Sequence, residues 1–129
     1  ALAALRANIH ACGWETRTTV IPRDVTAPRA GDQARGPARL VFLDPPYRLG
    51  LPATALLALH NRGWLAPDAI VVAETARDEP LPFAPPDETQ DAEPASQALV
   101  RQKAALRALS PEALAERQHG AARLSIWRL

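Results

Sequence analysis

The chain has 129 residues, of which 47% are apolar and 22% are charged, and its formal net charge is +1. These values are ordinary for one soluble globular domain with a real core, and they exclude a polycation. No apolar run approaches the ~20 residues that cross a bilayer, and no signal peptide is visible. The single cysteine, Cys12, excludes an internal disulfide framework and fits a reducing compartment, so we expect a cytoplasmic protein.

The N-terminal part of the chain predicts a helix, a strand and a loop. Apolar side chains recur at spacings of three and four over residues 2–12, which predicts an amphipathic helix. Gly13 is expected to end this helix. The β-branched run "TRTTVIP", residues 16–22, predicts a strand, and a loop rich in Gly and Pro follows at 27–38. Since the chain begins without methionine and as if inside a helix, we expect its natural N-terminus to lie upstream of Ala1.

The middle of the chain alternates apolar strands with a helix. "RLVFL", residues 39–43, and "AIVVAE", residues 69–74, are continuous apolar runs of the kind that is buried on both faces of a parallel sheet. Between them, residues 52–62 predict a helix that has Pro52 in its first turn and that Gly63 ends. This alternation predicts the α/β class with a mostly parallel sheet.

The C-terminal part of the chain is less regular. Residues 78–94 hold six acids, no base and five prolines, which predicts a mobile, solvated loop. Residues 95–109 then predict a helix, and the ending "ARLSIWRL", residues 122–129, predicts a strand. Between these two elements, Ser110 followed by Pro111 favours the start of another helix.

Three of the predicted strands have an acid at their carboxyl end or shortly after it: Asp24, Asp44 and Glu74. In open α/β sheets, ligands bind beyond the carboxyl ends of the strands. We therefore expect these three acids to lie on one rim of the sheet. Glu74 is interpreted equally well as a structural acid.

The most informative segment is "LVFLDPPY", in which an apolar strand runs into Asp44, Pro45, Pro46 and Tyr47. The two prolines have no backbone N–H and bias the residues before them to extended geometry. The carboxylate of Asp44 and the carbonyl oxygens then form a group of acceptors beside an aromatic ring. This arrangement suits a planar group with an –NH₂, such as a nucleobase with an exocyclic amine. A rigid turn that only closes the strand is the other interpretation.

Asp-Pro-Pro-Tyr and its flanks carry a family resemblance through "FLDPPYRLGL", "LLALHNRGWLAPDAIVVAE" and "ERQHGAARLSIWRL". These segments resemble the RsmD-type 16S rRNA guanine-N2 methyltransferases over most of residues 1–76 and 113–129. The resemblance implies a Rossmann-like class I methyltransferase fold, of which this chain is the C-terminal portion. It also implies a strand at 113–118, where local propensity favours a helix. We expect one partial catalytic domain over 1–129 with an acidic, Pro-rich insertion at 78–110.

The implied activity is transfer of a methyl group from S-adenosylmethionine to the N2 amine of a guanine in 16S rRNA of the small ribosomal subunit. The guanine is flipped out of its helix, because its N2 atom is not accessible in the stack. By the resemblance, the side chain of Asp44 and the carbonyl of Pro45 accept hydrogen bonds from this amine. Pro46 fixes the turn and Tyr47 stacks on the base. The methyl group then moves by in-line displacement, helped chiefly by positioning.

The resemblance also implies contacts with the cofactor and the RNA. Asp24 and Val25 would lie beside the adenine of S-adenosylmethionine, and Asp44 would face the cofactor as well as the base. Arg48 would meet the RNA backbone, or is a solvated surface arginine. The Gly-rich cofactor loop and the acid that holds the ribose are expected before Ala1, so residues 1–129 alone are expected to be inactive.

Two other functions fit part of the pattern. An adenine-N6 methyltransferase that acts on DNA or RNA would use the same Asp-Pro-Pro-Tyr signature. A non-catalytic RNA-binding fragment would fit the lack of a cofactor loop. The histidines have no ligand spacing with Cys12, so we expect no metal site. We expect the protein to be a monomer.

Overall fold

The computed structural model describes residues 1–29, 36–83 and 97–129. In these ranges the chain forms the following helices and strands, in order: α1 (Leu2–Ala11), β1 (Ala38–Leu43), α2 (Leu51–Asn61), β2 (Leu65–Ala76), α3 (Gln97–Arg107), β3 (Glu112–His119) and β4 (Ala122–Arg128).

The four strands form one sheet in the order β1-β2-β4-β3. β1 and β2 are parallel and are joined through α2, which is the expected crossover between parallel strands. β4 is antiparallel to both β2 and β3. The α/β class is therefore confirmed. The sheet of the described residues is mixed rather than mostly parallel, because the chain returns through a β3–β4 hairpin whose second strand inserts beside β2.

One face of the sheet carries the hydrophobic core. A buried cluster joins the two helices α2 and α3 to the inward side chains of β2 and β4: Leu56, Val71, Ala73, Leu106 and Trp127. Val71 and Ala73 alternate with more exposed neighbours, as the period of two along a strand requires. α2 and α3 also contact each other through a hydrogen bond from Gln102 Nε2 to Thr54 Oγ1 at 3.0 Å. We refer to this side of the sheet as the helical face.

The opposite face, which we call the open face, is much less covered by the described residues. Phe42 is 72% exposed, Leu40 is 54% exposed and Leu124 is 39% exposed. Helix α1 has no buried residue, and its apolar side chains Leu2 and Leu5 are 44% and 46% exposed. Within the described ranges, no helix is long and apolar enough to cross a membrane.

Most of the predicted elements are confirmed, with ends that differ by at most four residues: the helices at 2–12, 52–62 and 95–109, and the strands at 39–43, 69–74 and 122–129. Pro52 lies in the first turn of α2, where its missing N–H is not needed. Gly63 has a φ of 71°, a left-handed conformation that ends the helix at little steric cost.

The strand predicted at 16–22 is wrong, because no strand forms there in the structure. β-branched residues stabilise a strand only when a neighbouring strand completes its hydrogen bonds, and all pairings of the described sheet lie among β1 to β4. The end of this segment and the residues that follow it instead lie against the end of α2. Ile21 shares a small cavity with Leu59 and Trp64, and the indole N–H of Trp64 donates to the carbonyl of Arg29 at 3.1 Å.

The strand expected at 113–118 from the family resemblance is confirmed as β3, and the local preference for a helix is wrong. Pairing with β4, for example Ala115 with Ile126, provides the hydrogen bonds that override propensity. Ser110 does not begin a helix. It has a φ of 51°, and its N–H donates to the carbonyl of Arg107 at 2.9 Å, in the turn that follows α3.

The acidic segment at 78–94 is only partly described, and residues 84–94 lie outside the described ranges. The described residues 78–83 are not the solvated loop that composition predicts. Glu79 is only 7% exposed, and the ring of Phe83 packs edge-on against Trp127 with 5.1 Å between ring centroids. The insertion predicted at 78–110 therefore contains packed structure at both of its described ends, since α3 also contributes to the core.

Candidate functional site

The candidate site lies where the parallel strands β1 and β2 end. Leu43 pairs with Ala73, so the next residues, Asp44 and Glu74, lie side by side at the carboxyl end of the sheet. Because side chains alternate along a strand, the carboxylate of Glu74 belongs to the open face, opposite α2 and α3. Asp44 is the first residue after β1. Of the three acids predicted to lie on one rim of the sheet, Asp44 and Glu74 are therefore neighbours at this edge.

Tyr47 links this pair of strand ends. Its hydroxyl donates a hydrogen bond to the carboxylate of Glu74. That bond raises the pKa of Tyr47, and partial burial and the negative charges of Glu74 and Asp44 raise it further. The ring is 38% exposed, so its orientation is fixed at the hydroxyl while ring surface stays open to solvent.

The structure thus places Glu74 as an anchor for the Tyr47 ring, a contact that sequence reasoning left open. The available signal was the position of Glu74 at the end of the strand that neighbours β1 in a parallel sheet. An acid at that position is close to any aromatic residue of the turn after β1.

The acceptors of the turn are accessible. Asp44 and Pro46 are exposed and Pro45 is half-buried. Neither proline has an N–H that could compete for the carboxylate or the carbonyl groups. Chemically, this turn can accept hydrogen bonds from an exocyclic amine and present an aromatic ring beside them. The individual roles of Asp44, Pro45, Pro46 and Tyr47 remain predictions.

Arg48 follows the turn and has a left-handed backbone, with a φ of 62°. Its guanidinium donates from Nη2 to both carboxylate oxygens of Asp78 at 3.0 Å, and this bond is the main cause that lowers the pKa of Asp78. The two side chains are 69% and 68% exposed, so the ion pair is weak and can exchange for another anion. A contact between Arg48 and RNA phosphate stays a prediction.

Glu79 is a site residue that sequence reasoning missed, because the acid was counted within a solvated loop. Its carboxylate is buried and accepts a hydrogen bond from the backbone N–H of Arg48 at 2.9 Å. A second, longer bond of 3.4 Å comes from the backbone N–H of Gly50. No composition signal distinguishes Glu79 from its acidic neighbours. Its partners lie about thirty positions earlier in the chain, and only the fold brings them close.

Asp24 and Val25 lie near the end of α2 and not in the turn after β1. The carboxylate of Asp24 accepts hydrogen bonds from the backbone N–H and the hydroxyl of Thr26 at 2.8 and 2.7 Å, which lower its pKa. Both residues line a cavity of about 130 Å³ with Leu59 and Trp64, near the end of α2. The expectation that Asp24 lies on the rim rested on the strand at 16–22, which does not form. Asp44 does not line the cavity that Asp24 and Val25 line.

A larger cavity of about 420 Å³ adjoins the turn on the helical face. Arg48, Glu79 and Pro52 line it, together with Gln102 of α3. Neither Asp44 nor Glu74 lines this cavity. Among the described residues, no cluster of His, Cys, Asp and Glu is arranged to hold a metal ion.

The fold agrees with a solved structure. The chain superimposes on a Haemophilus influenzae protein described as a candidate methylase with a TM-score of 0.63 at 21% identity, which covers 98% of this chain and 64% of that one. The parallel β1–α2–β2 unit with a polar turn at its carboxyl end thus belongs to the Rossmann-like class I methyltransferase fold.

The family follows from the sequence comparison. The profile of the family described as Conserved hypothetical protein 95 matches residues 1–105, and the chain belongs to this family. It is 43% identical over 42 residues to ribosomal RNA small subunit methyltransferase D of Haemophilus influenzae, and 39% identical over 49 residues to the Escherichia coli protein of the same name. These stretches cover 33% and 38% of this chain, but only 22% and 25% of the relatives. The RsmD-type resemblance is confirmed at the level of the family.

Proposed function

We propose that this chain belongs to an enzyme that transfers a methyl group from S-adenosylmethionine to the exocyclic N2 amine of a guanine in 16S ribosomal RNA. The observation that carries the proposal is the turn after β1, where Asp44 and Pro45 precede Tyr47 and the hydroxyl of Tyr47 is held by Glu74 of the neighbouring strand. Family membership and the ribosomal RNA methyltransferases among the relatives support the choice of reaction and substrate.

The residues of the chain have distinct tasks in this reaction. The carboxylate of Asp44 and the carbonyl of Pro45 accept hydrogen bonds from the two hydrogens of the amine. These bonds draw the nitrogen lone pair out of conjugation with the base and aim it outward. Tyr47, held by Glu74, stacks against the base and keeps it in the plane that these acceptors require.

The cofactor supplies the methyl group on a positively charged sulfur. The described residues fit the target amine better than they fit the cofactor. Asp44 is exposed on the rim, whereas Asp24 is engaged by Thr26 in a separate cavity. Asp24, Val25 and Asp44 are the residues that we propose would contact the cofactor, although Asp44 does not line the cavity that Asp24 and Val25 line.

The test is methyl transfer to small-subunit RNA or particles by the wild-type protein and by Asp44→Ala and Tyr47→Ala. The protein is assayed as residues 1–129 and also with whatever sequence its gene encodes before Ala1. Both substitutions should abolish transfer. Glu116→Gln is the matched control, because Glu116 lies on β3, which β2 and β4 separate from β1. Full activity in both variants would refute the assignment.

Mass spectrometry of the modified nucleoside identifies the target atom. N2-methylguanosine supports the proposal, and N6-methyladenosine would replace it with an adenine methyltransferase that uses the same turn. RNA binding by the longest form of the protein without any methylated product would indicate a non-catalytic RNA-binding protein.

A further inference from the structure

Glu79 is the charged side chain that the described part of the fold buries, with 7% of its surface exposed. Burying a carboxylate is costly unless hydrogen bonds replace the lost water. Three backbone N–H groups do so: that of Arg48 at 2.9 Å, and those of Gly50 and Ala76 at 3.4 Å each. The carboxylate therefore joins the segment after the Asp-Pro-Pro-Tyr turn to the end of β2.

The backbone of Glu79 is fixed in turn by β4. The guanidinium of Arg123 donates to the carbonyl oxygen of Glu79 and, at 3.3 Å, to the hydroxyl of Thr75. Thr75 is 1% exposed and pairs with Arg123 across the β2–β4 ladder. Glu79 is thus held by the interior of the sheet and not by solvent-exposed contacts.

The segment that Glu79 binds adopts a costly backbone conformation. Arg48 and Gly50 have φ angles of 62° and 61°, a left-handed conformation that is sterically unfavourable for the non-glycine residue Arg48. The carboxylate of Glu79 accepts a hydrogen bond from the N–H of each of these two residues. The turn from Asp44 to Tyr47 is therefore anchored on one side by β1 and on the other side by Glu79.

We propose that Glu79 is a positioning residue of the methyl-transfer site. Its carboxylate binds the N–H groups of Arg48 and Gly50, and so holds Tyr47 and the Pro45 carbonyl in the geometry that the target base needs. The proposal rests on the function proposed above, and Glu79 itself does not contact the substrate. An acid that only stabilised the fold would change the free energy of unfolding without changing the local state of Tyr47 in the folded protein.

The test follows Tyr47 directly, because it is the single tyrosine of the 129 residues. The protein is labelled with fluorotyrosine, and the Tyr47 signal is assigned by its loss in Tyr47→Phe. Fluorine NMR spectra are compared for the wild type, Glu79→Gln, Glu79→Ala and the control Asp78→Asn. Asp78 is the adjacent acid, but it is exposed and binds the side chain of Arg48 rather than its backbone.

We expect one narrow Tyr47 signal in the wild type and in Asp78→Asn. In Glu79→Gln the signal should shift and broaden, because the amide keeps one acceptor oxygen but loses the second. Glu79→Ala should show the larger effect. In methyl-transfer assays, the kcat of the Glu79 variants should fall by about 10- to 100-fold, which is the loss expected when a reacting group is misplaced. Their KM for S-adenosylmethionine should change by less than about twofold.

An unchanged Tyr47 signal in folded Glu79→Gln would overturn the proposal, as would equal effects in Asp78→Asn. If neither Glu79 variant unfolds cooperatively, the residue serves global folding, and the positioning role is likewise rejected. The spectra do not depend on activity. Absence of methyl transfer by the longest wild-type form that the gene encodes would therefore refute the proposed function, while the spectra still decide whether Glu79 positions Tyr47.

Discussion

Replacing Leu106 with alanine tests whether α3 is packed on the sheet or belongs to a solvated insertion. Leu106 is fully buried, with 0% of its surface exposed, and it packs in the core cluster with Leu56, Val71 and Trp127. The sequence predicts a solvated loop over 78–94 and a helix over 95–109, but the family resemblance assigns all of 78–110 to an insertion, where alanine in place of Leu106 would cost little if α3 were not packed on the sheet. The structure predicts a large loss of stability.

The magnitude follows from the burial. Leucine has three more carbons than alanine, and at about 0.8 kcal/mol for each buried carbon the lost transfer free energy is about 2.4 kcal/mol. The cavity left in a core that relaxes only partly adds about 24 cal/mol per Å³, so ~50 Å³ of remaining space contributes about 1.2 kcal/mol. We therefore expect the free energy of unfolding to fall by about 3–4 kcal/mol, a large part of the total for a domain of this size.

Urea denaturation at equilibrium measures the effect, with the midpoint and the slope compared between variants. Val100→Ala is the matched control, because Val100 lies on the same helix and is 57% exposed. It should change stability by no more than about 0.5 kcal/mol. If Leu106→Ala costs less than about 1 kcal/mol, or no more than the control, then α3 is not packed on the sheet in solution.

The remaining predictions concern two polar side chains. Glu74→Gln should lower the pKa of Tyr47 toward its ordinary value of about 10, because the hydrogen bond and the charge of Glu74 raise it. The raised pKa means that Tyr47 contributes stability below about pH 10, and that this contribution is lost as the pH rises through the higher folded-state pKa. A titration of tyrosinate absorbance measures the shift, and an unchanged pKa would show that the Tyr47–Glu74 bond is absent in solution. Ser125→Ala should be neutral or raise the free energy of unfolding by up to about 1 kcal/mol, because the Ser125 hydroxyl is buried without a hydrogen-bond partner in the described part of the chain. Urea denaturation checks this, and a loss above about 1 kcal/mol would reveal a partner for that hydroxyl.

The parts of the fold that could be predicted from the sequence are those set by local pattern. β1 and β2 are long apolar runs, and α2 is bounded by Pro52 and Gly63, so periodicity and the end residues identify them. The strand at 16–22 and β3 show the limit of such patterns. Both depend on whether a partner strand is present, and among the described residues only β3 has one.

The site shows the same limit. Asp44 and Tyr47 could be selected from the turn itself, because its chemistry is contained in four consecutive residues. The bonds from Tyr47 to Glu74 and from Arg48 to Glu79 join positions that are 27 and 31 residues apart. Composition averages over a segment, so it assigned the buried Glu79 and the exposed Asp78 to one solvated loop. Only the tertiary structure separates them.

The position of β4 has a consequence for the synthesis of the protein. The turn after β1 is translated before β4, but Glu79, which anchors the turn, is held by Arg123 of β4, and β4 occupies an interior place in the sheet. A nascent chain that has not yet released residues 122–128 lacks both this clamp and the strand between β2 and β3. The turn therefore lacks this anchor until β4 has been translated. Ribosomes that stop early would yield chains that contain Asp-Pro-Pro-Tyr but do not hold it in place.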